Sequence, residues 1–413
     1  MAGSISGCPA DRRVWVATGA DSLQVEGAVA LVHSLFSSSR DVGCLSVRVH
    51  TEPDLVDRIQ PALNHAATSA AANGTSRADG LDVLAVGISP DEVPLARGRP
   101  PQVVFNFLRF YLGDLLPEAD KVLWTDADTL VQRDVGELYH SSLVDDGDTG
   151  IAAVPRGPAF SLSKLLPPQL YSRLAASVPT FDDVQMFNAG VSLLNTQYWR
   201  KLQLRQEAEG LIGLLRSANA ATFRGMSTVE SSQLPLNLLF RQRRVEPIDD
   251  TWNVSFFEWP PTLMDVLLMR RTKDHWAVLR EAALIHWNGE VNKKPWLVVE
   301  TDIAMADTHR MTKLRQMQEL WCPHYPPCLS TSPPPPSLAK QWPCPLVCRA
   351  HLDKDQPPLT RSSFVSVPAS FLPLLMLVVL VLMAVRPLVR LGRVLMVVTP
   401  LKGGRRRAAA PTE

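Results

Sequence analysis

Residues 121–125, KVLWT, constrain the fold more than any other stretch of the chain. Val122, Leu123 and Trp124 form a short continuous apolar run, which suits a strand covered on both faces, as in a parallel sheet. The run ends in Asp126-Ala127-Asp128. On an extended chain side chains i and i+2 point the same way, so both carboxylates leave the sheet on one side. Open α/β sheets collect ligands beyond the carboxyl ends of their strands. Two adjacent carboxylates repel, and one pKa rises unless something positive lies between them. A hard divalent cation with oxygen ligands meets that need. A second reading is a helix N-cap before TLVQRDVGELY. Asp-x-Asp recurs at Asp146/Asp148, in the turn-like DDGDTG, and at Asp353/Asp355, in a Pro-rich polar stretch; both read as solvated loop.

Around that strand, apolar runs alternate with helical spacing. RRVWVATGAD, GCLSVRVH, LDVLAVGI, TGIAAVP, GVSLLN and AALIHW read as strands. GAVALVHSLFSS, PQVVFNFLRFYLGDLLPEAD and QYWRKLQLRQEAEGLIGLL read as helices, and a further helical stretch ends in the loop-like AATSAAANGTSRADG. This alternation predicts an α/β domain with a largely parallel sheet over residues 12–320. A Pro- and Cys-rich linker follows at 321–363, including STSPPPPS.

Residues 364–385, FVSVPASFLPLLMLVVLVLMAV, carry no charge. At about 1.5 Å per residue they match the ~30 Å hydrocarbon core of a bilayer, so a transmembrane helix is expected, with a buried core helix as the alternative. The tail 386–413 is basic, with Arg386, Arg390, Arg393, Lys402 and Arg405–Arg407 against Glu413. The positive-inside rule puts that tail in the cytosol and the large domain in a lumen or outside. Cys322, Cys328, Cys344 and Cys348 before the span suit disulfides in an oxidising compartment. A zinc site is their rival reading, although the spacing fits no usual ligand pattern. The opening MAGSISGCPADRR has no apolar core, which leaves either a tail-anchored chain with a cytosolic domain or a natural start upstream of this sequence. Two Asn-x-Ser/Thr sequons occur, at Asn73 and Asn253, and a formal charge of +1 gives no electrostatic case for nucleic acid.

Three motifs appear in order: NFLRFYLGDLLPEADKVLWTDADTLVQRDVGELY, FNAGVSLLNTQYWR and HWNGEVNKKPW. Together they resemble glycosyltransferase family 8, which includes glycogenin, bacterial lipooligosaccharide galactosyltransferases and the plant galacturonosyltransferases. The wording is closest to the galacturonosyltransferase and galacturonosyltransferase-like branch. The resemblance implies a GT-A fold, Rossmann-like, with a mostly parallel mixed sheet flanked by helices. It implies a retaining transferase that moves a hexose or hexuronate from a UDP-sugar to a glycan acceptor with manganese (Mn2+). With the expected span, it implies a single-pass Golgi protein with a lumenal catalytic domain, working in cell-wall polysaccharide synthesis.

Residue by residue, the resemblance makes Asp126, Asp128 and His286 the metal ligands, with Asp126 also touching the ribose. Gly289 and Lys294 hold the diphosphate, and Arg109 contacts the donor. Asn188, Ala189 and Gly190 bind the sugar, and Gln233 lies near its anomeric face. The chain departs from the family at Ser232, where the bacterial enzymes carry an Asp, and at Gly19, which leaves Asp21 as the nearest polar candidate for the uridine.

The residue types also make physical sense unaided. A departing UDP builds negative charge, which a metal stabilises as a Lewis acid and fixed Arg and Lys charges reinforce. His286 ends the apolar run AALIH and so reaches the same edge of the sheet; a satisfied strand-end histidine is the plainer reading. For Arg109 the plainer reading is a surface helix residue, and for Asn188 a turn amide. Trp252, Trp259, Trp287 and Trp296 could stack on an acceptor sugar, or simply fill core. Two rival functions stand beside the transferase. VLWTDADTL also fits the nucleophile strand of a haloacid-dehalogenase-type phosphatase, with RRVEPIDDTW as its later acidic strand end, and a carbohydrate-binding pseudoenzyme is the third reading.

Overall fold

The computed structural model describes residues 8–72, 81–96, 101–156, 186–219, 232–256, 275–288, 294–298, 308–328 and 344–349, with isolated helical positions between 168 and 176. Asn73, Trp259, Gly289, Asp353, Asp355 and the expected span 364–385 lie outside them. Among the described residues no helix is long and apolar enough to cross a membrane.

Among the described residues ten strands build two sheets. The larger has seven, in the order β3-β2-β1-β4-β7-β6-β8. These are β1 (Val14–Gly19), β2 (Leu45–Thr51), β3 (Asp82–Gly87), β4 (Lys121–Thr125), β6 (Ile151–Pro155), β7 (Phe187–Asn195) and β8 (Val245–Pro247). β3, β2, β1 and β4 run parallel, whereas β7 runs antiparallel to both β4 and β6. The apolar run of β4 is fully enclosed, with Val122 and Leu123 at 0% exposure and Trp124 at 1%.

A second sheet joins β5 (Thr129–Val131), which follows β4 in sequence, to β10 (Leu284–His286) and β9 (Val254–Ser255) from far along the chain, in the order β5-β10-β9. β5 pairs antiparallel with β10, so His286 stands opposite Thr129, the residue after Asp128. That register is what carries a histidine from far along the chain to the two aspartates.

Helix α1 (Val25–Ser38) is buried at every position from Gly27 to Phe36, and a helix that is apolar nearly all round must be covered on all sides. It packs on α2 (Val56–Ala72), on β5 and on the turn Cys322–His324.

Several local expectations change. The Ala-rich AATSAAA is helical, not loop, because α2 runs to Ala72 and alanine favours helix. The stretch from Pro101 breaks into a helix (Pro101–Phe107), a 3-10 turn (Leu108–Phe110) and a short helix (Leu112–Leu115). The stretch from Thr196 is two helices, Thr196–Lys201 and Leu204–Asn219, split next to Gln203 at φ 53°. Asp126 and Asp128 cap no helix: β5 follows them, and the next helix (Val135–Tyr139) is capped by Asp134, whose carboxylate accepts from the Gly136 N–H.

Within the stretch 321–363, Trp321, Tyr325 and Val347 are buried in the same core as the sheet. Disulfides Cys322–Cys348 and Cys328–Cys344 close that segment, and a third, Cys8–Cys44, ties the start of the chain to the turn before β2. All six cysteines are therefore paired.

Candidate active site

Asp126 leaves β4 with its backbone N–H bonded to Gly190 O of the neighbouring β7 at 2.8 Å. Its Oδ1 accepts from Trp124 Nε1 at 2.8 Å and from Arg109 Nη2 at 2.7 Å. Asp128 gives one oxygen, Oδ2, to Lys294 Nζ. Each carboxylate thus has one oxygen occupied by a protein cation. The other two, Asp126 Oδ2 and Asp128 Oδ1, face His286 Nε2 at 3.8 and 3.3 Å. One ligand atom from each of these three residues lies within 4.8 Å of the other two. Two carboxylates and one imidazole form a hard, oxygen-rich donor set with room for further ligands, which fits manganese or magnesium better than a closed zinc site.

The local electrostatics follow from the partners. Burial by itself would raise the Asp128 carboxyl, but Lys294 and His286 pull it the other way and hold it well below the usual carboxylate range. The repulsion expected between the two aspartates is thus relieved from their outer sides, by Arg109 and Lys294. Arg109 is no surface residue: it is 2% exposed, its Nη1 donates to Ala189 O, its Nε donates to Asn106 O at 3.2 Å, and its guanidinium lies 4.8 Å from the Trp124 ring centroid. Lys294 is also 2% exposed and donates a second bond, to Trp287 O.

His286 is 4% exposed, and its Nδ1 lies 2.9 Å from Asn253 Oδ1. Asn253 stands at the end of a 3-10 turn (Asp250–Asn253) that runs straight into β9, beside β10. It entered the sequence reading only as a sequon.

The NAG segment lies on β7 beside this cluster. Asn188 Oδ1 accepts from the Gly190 N–H at 2.9 Å. Gln233, at the start of the helix Gln233–Leu239, accepts from the Ala189 N–H at 2.8 Å and donates to Phe187 O. Asn237, one helical turn on, accepts from the Phe187 N–H at 2.8 Å. Gln233 and Asn237 together clamp the strand that presents residues 188–190. The i, i+4 spacing in QLPLN is the signal that could have identified Asn237. Ser232 is 3% exposed and contributes no acid.

Asp21 follows β1, is 4% exposed and accepts from the Leu23 N–H at 2.8 Å. Burial raises its carboxyl. Glu52, beyond the end of β2, is raised by burial and by the charges of Asp54 and Asp21. No motif in the sequence marks this acidic neighbour of Asp21. Trp252, Trp287 and Trp296 form no exposed platform: they are 6%, 0% and 8% exposed and belong to the core.

A family model described as glycosyl transferase family 8 matches residues 25–299. The chain belongs to that family. Glycosyltransferase 8 domain-containing protein 2 of Homo sapiens is 27% identical over 209 residues, covering 46% of this chain and 53% of the relative. An Arabidopsis thaliana protein named "Probable galacturonosyltransferase 13" is 24% identical over 206 residues, covering 49% and 35%. The family 8 chain thus spans about half the length, or less, of these curated relatives. A solved galactosyltransferase, LgtC, in complex with donor and acceptor sugar analogues, is 18% identical with a TM-score of 0.44, covering 72% of this chain and 94% of that one. Mouse xyloside xylosyltransferase 1 is 14% identical with a TM-score of 0.44, covering 67% and 98%.

Family membership removes the phosphatase alternative. The acidic strand end of that alternative behaves accordingly, since Asp249 only caps its own 3-10 turn through Thr251.

Proposed function

We propose that the chain is a retaining, metal-dependent glycosyltransferase of GT-A architecture that moves a hexose or hexuronate from a UDP-sugar to a glycan or other acceptor. The observation that carries this is the convergence of Asp126 Oδ2, Asp128 Oδ1 and His286 Nε2, with the remaining carboxylate oxygens satisfied by Arg109 and Lys294. A divalent cation held by these residues, Mn2+ first among them, supplies Lewis-acid stabilisation of the diphosphate leaving group.

The other residues bind and orient. Asn188, Ala189 and Gly190 are assigned to the sugar, on a strand held by Gln233, which is assigned to the anomeric face. Lys294 and Gly289 are assigned to the diphosphate and Asp21 to the uridine. The burial of Arg109 supports a role through Asp126 more than through direct donor contact. Front-face displacement with retention suits a site with no carboxylate at Ser232 to form a covalent intermediate.

The test is a screen of UDP-sugars reading UDP release with and without Mn2+, followed by NMR of the first-formed linkage. Metal-dependent UDP release and an α-linked product are expected. Donor binding without turnover would turn the reading into a carbohydrate-binding pseudoenzyme, and a β-linked product would end the retaining mechanism.

We further propose that residues 364–385 anchor the chain in a Golgi membrane, with 386–413 in the cytosol and the catalytic domain in the lumen. Three disulfides support an oxidising compartment. Protease protection in sealed microsomes checks it: digestion of the domain with the membrane intact would overturn the orientation.

A further inference from the structure

We propose that Asn253 is a positioning residue of the metal site, and that its side-chain carbonyl is what makes His286 a ligand. The inference rests on the metal reading proposed above.

A neutral imidazole carries one proton, and only the nitrogen without it can coordinate a metal. In this structure both nitrogens of His286 have an acceptor in reach: Asn253 Oδ1 at 2.9 Å from Nδ1, and Asp128 Oδ1 at 3.3 Å from Nε2. With the proton on Nε2 the ring donates to Asp128 and has no lone pair to offer there. With the proton on Nδ1, Nε2 faces the two aspartates as an acceptor. His286 is 4% exposed, so water does not replace a missing partner for Nδ1–H. A buried donor left without an acceptor costs ~1–3 kcal/mol. Asn253 Oδ1 removes that cost from the metal-binding tautomer.

The placement is built into the backbone. Asn253 ends its 3-10 turn immediately before β9, and β9 runs parallel to β10 with Ser255 opposite His286. Asn253 is 8% exposed, and its Nδ2 is buried with no hydrogen-bond partner among the described residues. The oxygen end of the amide is therefore the end with a bond to keep. A direct consequence concerns the sequon Asn253-Val254-Ser255. The atom that would carry a glycan, Nδ2, is sealed inside the domain, so a chain carrying a glycan there could not adopt this fold.

The experiment is a Mn2+ titration followed by electron paramagnetic resonance, on the folded full chain and its variants, with no sugar donor present. Asn253→Ala is expected to weaken Mn2+ binding ~10–100-fold, the loss typical of removing a partner behind a metal-bound histidine. Asn253→Asp keeps the acceptor oxygen and is expected to bind at least as tightly as the natural chain. A merely structural role would not be rescued in this way. If Asn253→Ala binds Mn2+ like the natural chain, or Asn253→Asp binds as weakly as Asn253→Ala, the proposal is wrong. If Asn253→Ala does not fold, Asn253→Asp decides alone: undiminished binding supports the proposal and lost binding overturns it. A natural chain that binds no Mn2+ overturns the metal reading and this inference together, whereas intact binding that ignores Asn253 overturns this inference only. Peptide mapping of the folded full chain isolated from a eukaryotic host gives an independent arm, in which a glycan on Asn253 would also overturn it.

Discussion

Gly190 and His286 are packed so tightly that a Cβ on the glycine would overlap the imidazole Cε1, and would lie 2.8 Å from Nδ1 and 3.1 Å from Asp126 Oδ2. The glycine lets β7 pass directly against two of the three proposed ligands. Gly190→Ala is expected to destabilise the domain by ~1–3 kcal/mol through overpacking and to weaken Mn2+ binding by pushing His286 aside. Gly210 is the control: it lies on the helix Leu204–Asn219 with nothing within 4 Å of an added Cβ. Gly210→Ala should gain ~0.8–1 kcal/mol from helix propensity. Urea denaturation of both variants, with Mn2+ titration, separates crowding at the site from a general glycine effect.

Asp128→Asn keeps the side-chain shape but removes a charge from the donor set. Transfer activity and Mn2+ affinity are expected to fall by at least the ~10–100-fold seen when groups behind metal ligands are changed. Asp146→Asn should leave both unchanged, because that carboxylate bonds the Asp148 N–H and the Thr149 N–H and hydroxyl of its own turn, and Arg244. Equal activity of the two variants, or indifference of the natural chain to a chelator, would return the Asp-x-Asp at 126–128 to a structural role.

Arg109 joins the 3-10 turn before β4 to Asp126 and to Ala189 on β7, at 2% exposure. Arg109→Met leaves Asp126 without its countercharge and Ala189 O without a donor. Breaking a buried pair from one side typically costs ~3–5 kcal/mol. Arg109→Lys restores the charge but not the fork of donors, so its denaturation midpoint should fall between the two. A midpoint for Arg109→Met equal to that of the natural chain would show that the ion pair adds nothing to stability.

His33 of α1 and His324 of the C-terminal turn approach to 3.4 Å between their Nδ1 atoms. Burial, then the charges of His324 and His65, lower His33 to about 3, and burial lowers His324 to about 4. Both histidines are thus neutral when folded and take up protons on unfolding. Their contribution is complete above the unfolded value of ~6.5 and is lost as pH falls from there towards 4, by up to ~1.4 kcal/mol per pH unit for each. Urea midpoints measured from about pH 7.5 down to about pH 5 should therefore drop, and His33→Leu should flatten the slope. An unchanged slope in His33→Leu would place the acid sensitivity elsewhere.

Much of the frame was legible because it is local. The enclosed run of KVLWT, the period of α1 and the strand endings at Gly19, Thr125 and His286 follow from residues adjacent in sequence, and side-chain periodicity reports them directly. The Asp-x-Asp spacing likewise placed two carboxylates on one side of the chain before any partner was known.

What only the tertiary structure decided lies in pairings between distant residues. Nothing near Arg109 announces that it will be buried on Asp126, since a guanidinium in a helical stretch has the same local pattern on a surface. For Trp252, Trp287 and Trp296 a sugar platform stood beside ordinary core packing, the plainer reading for most of them, and burial decided for the core. Asn253 stands out in the sequence only as part of a sequon, a motif common by chance, and the β9–β10 register sets its amide against His286. Tyr325 and Val347 lay in what read as a linker until two disulfides closed that segment and both side chains packed into the core. Sequence by itself determines which elements form and which chemistry each carries to its end. The partner that a buried polar group finds depends on sheet register and chain closure, and these are global properties of the fold.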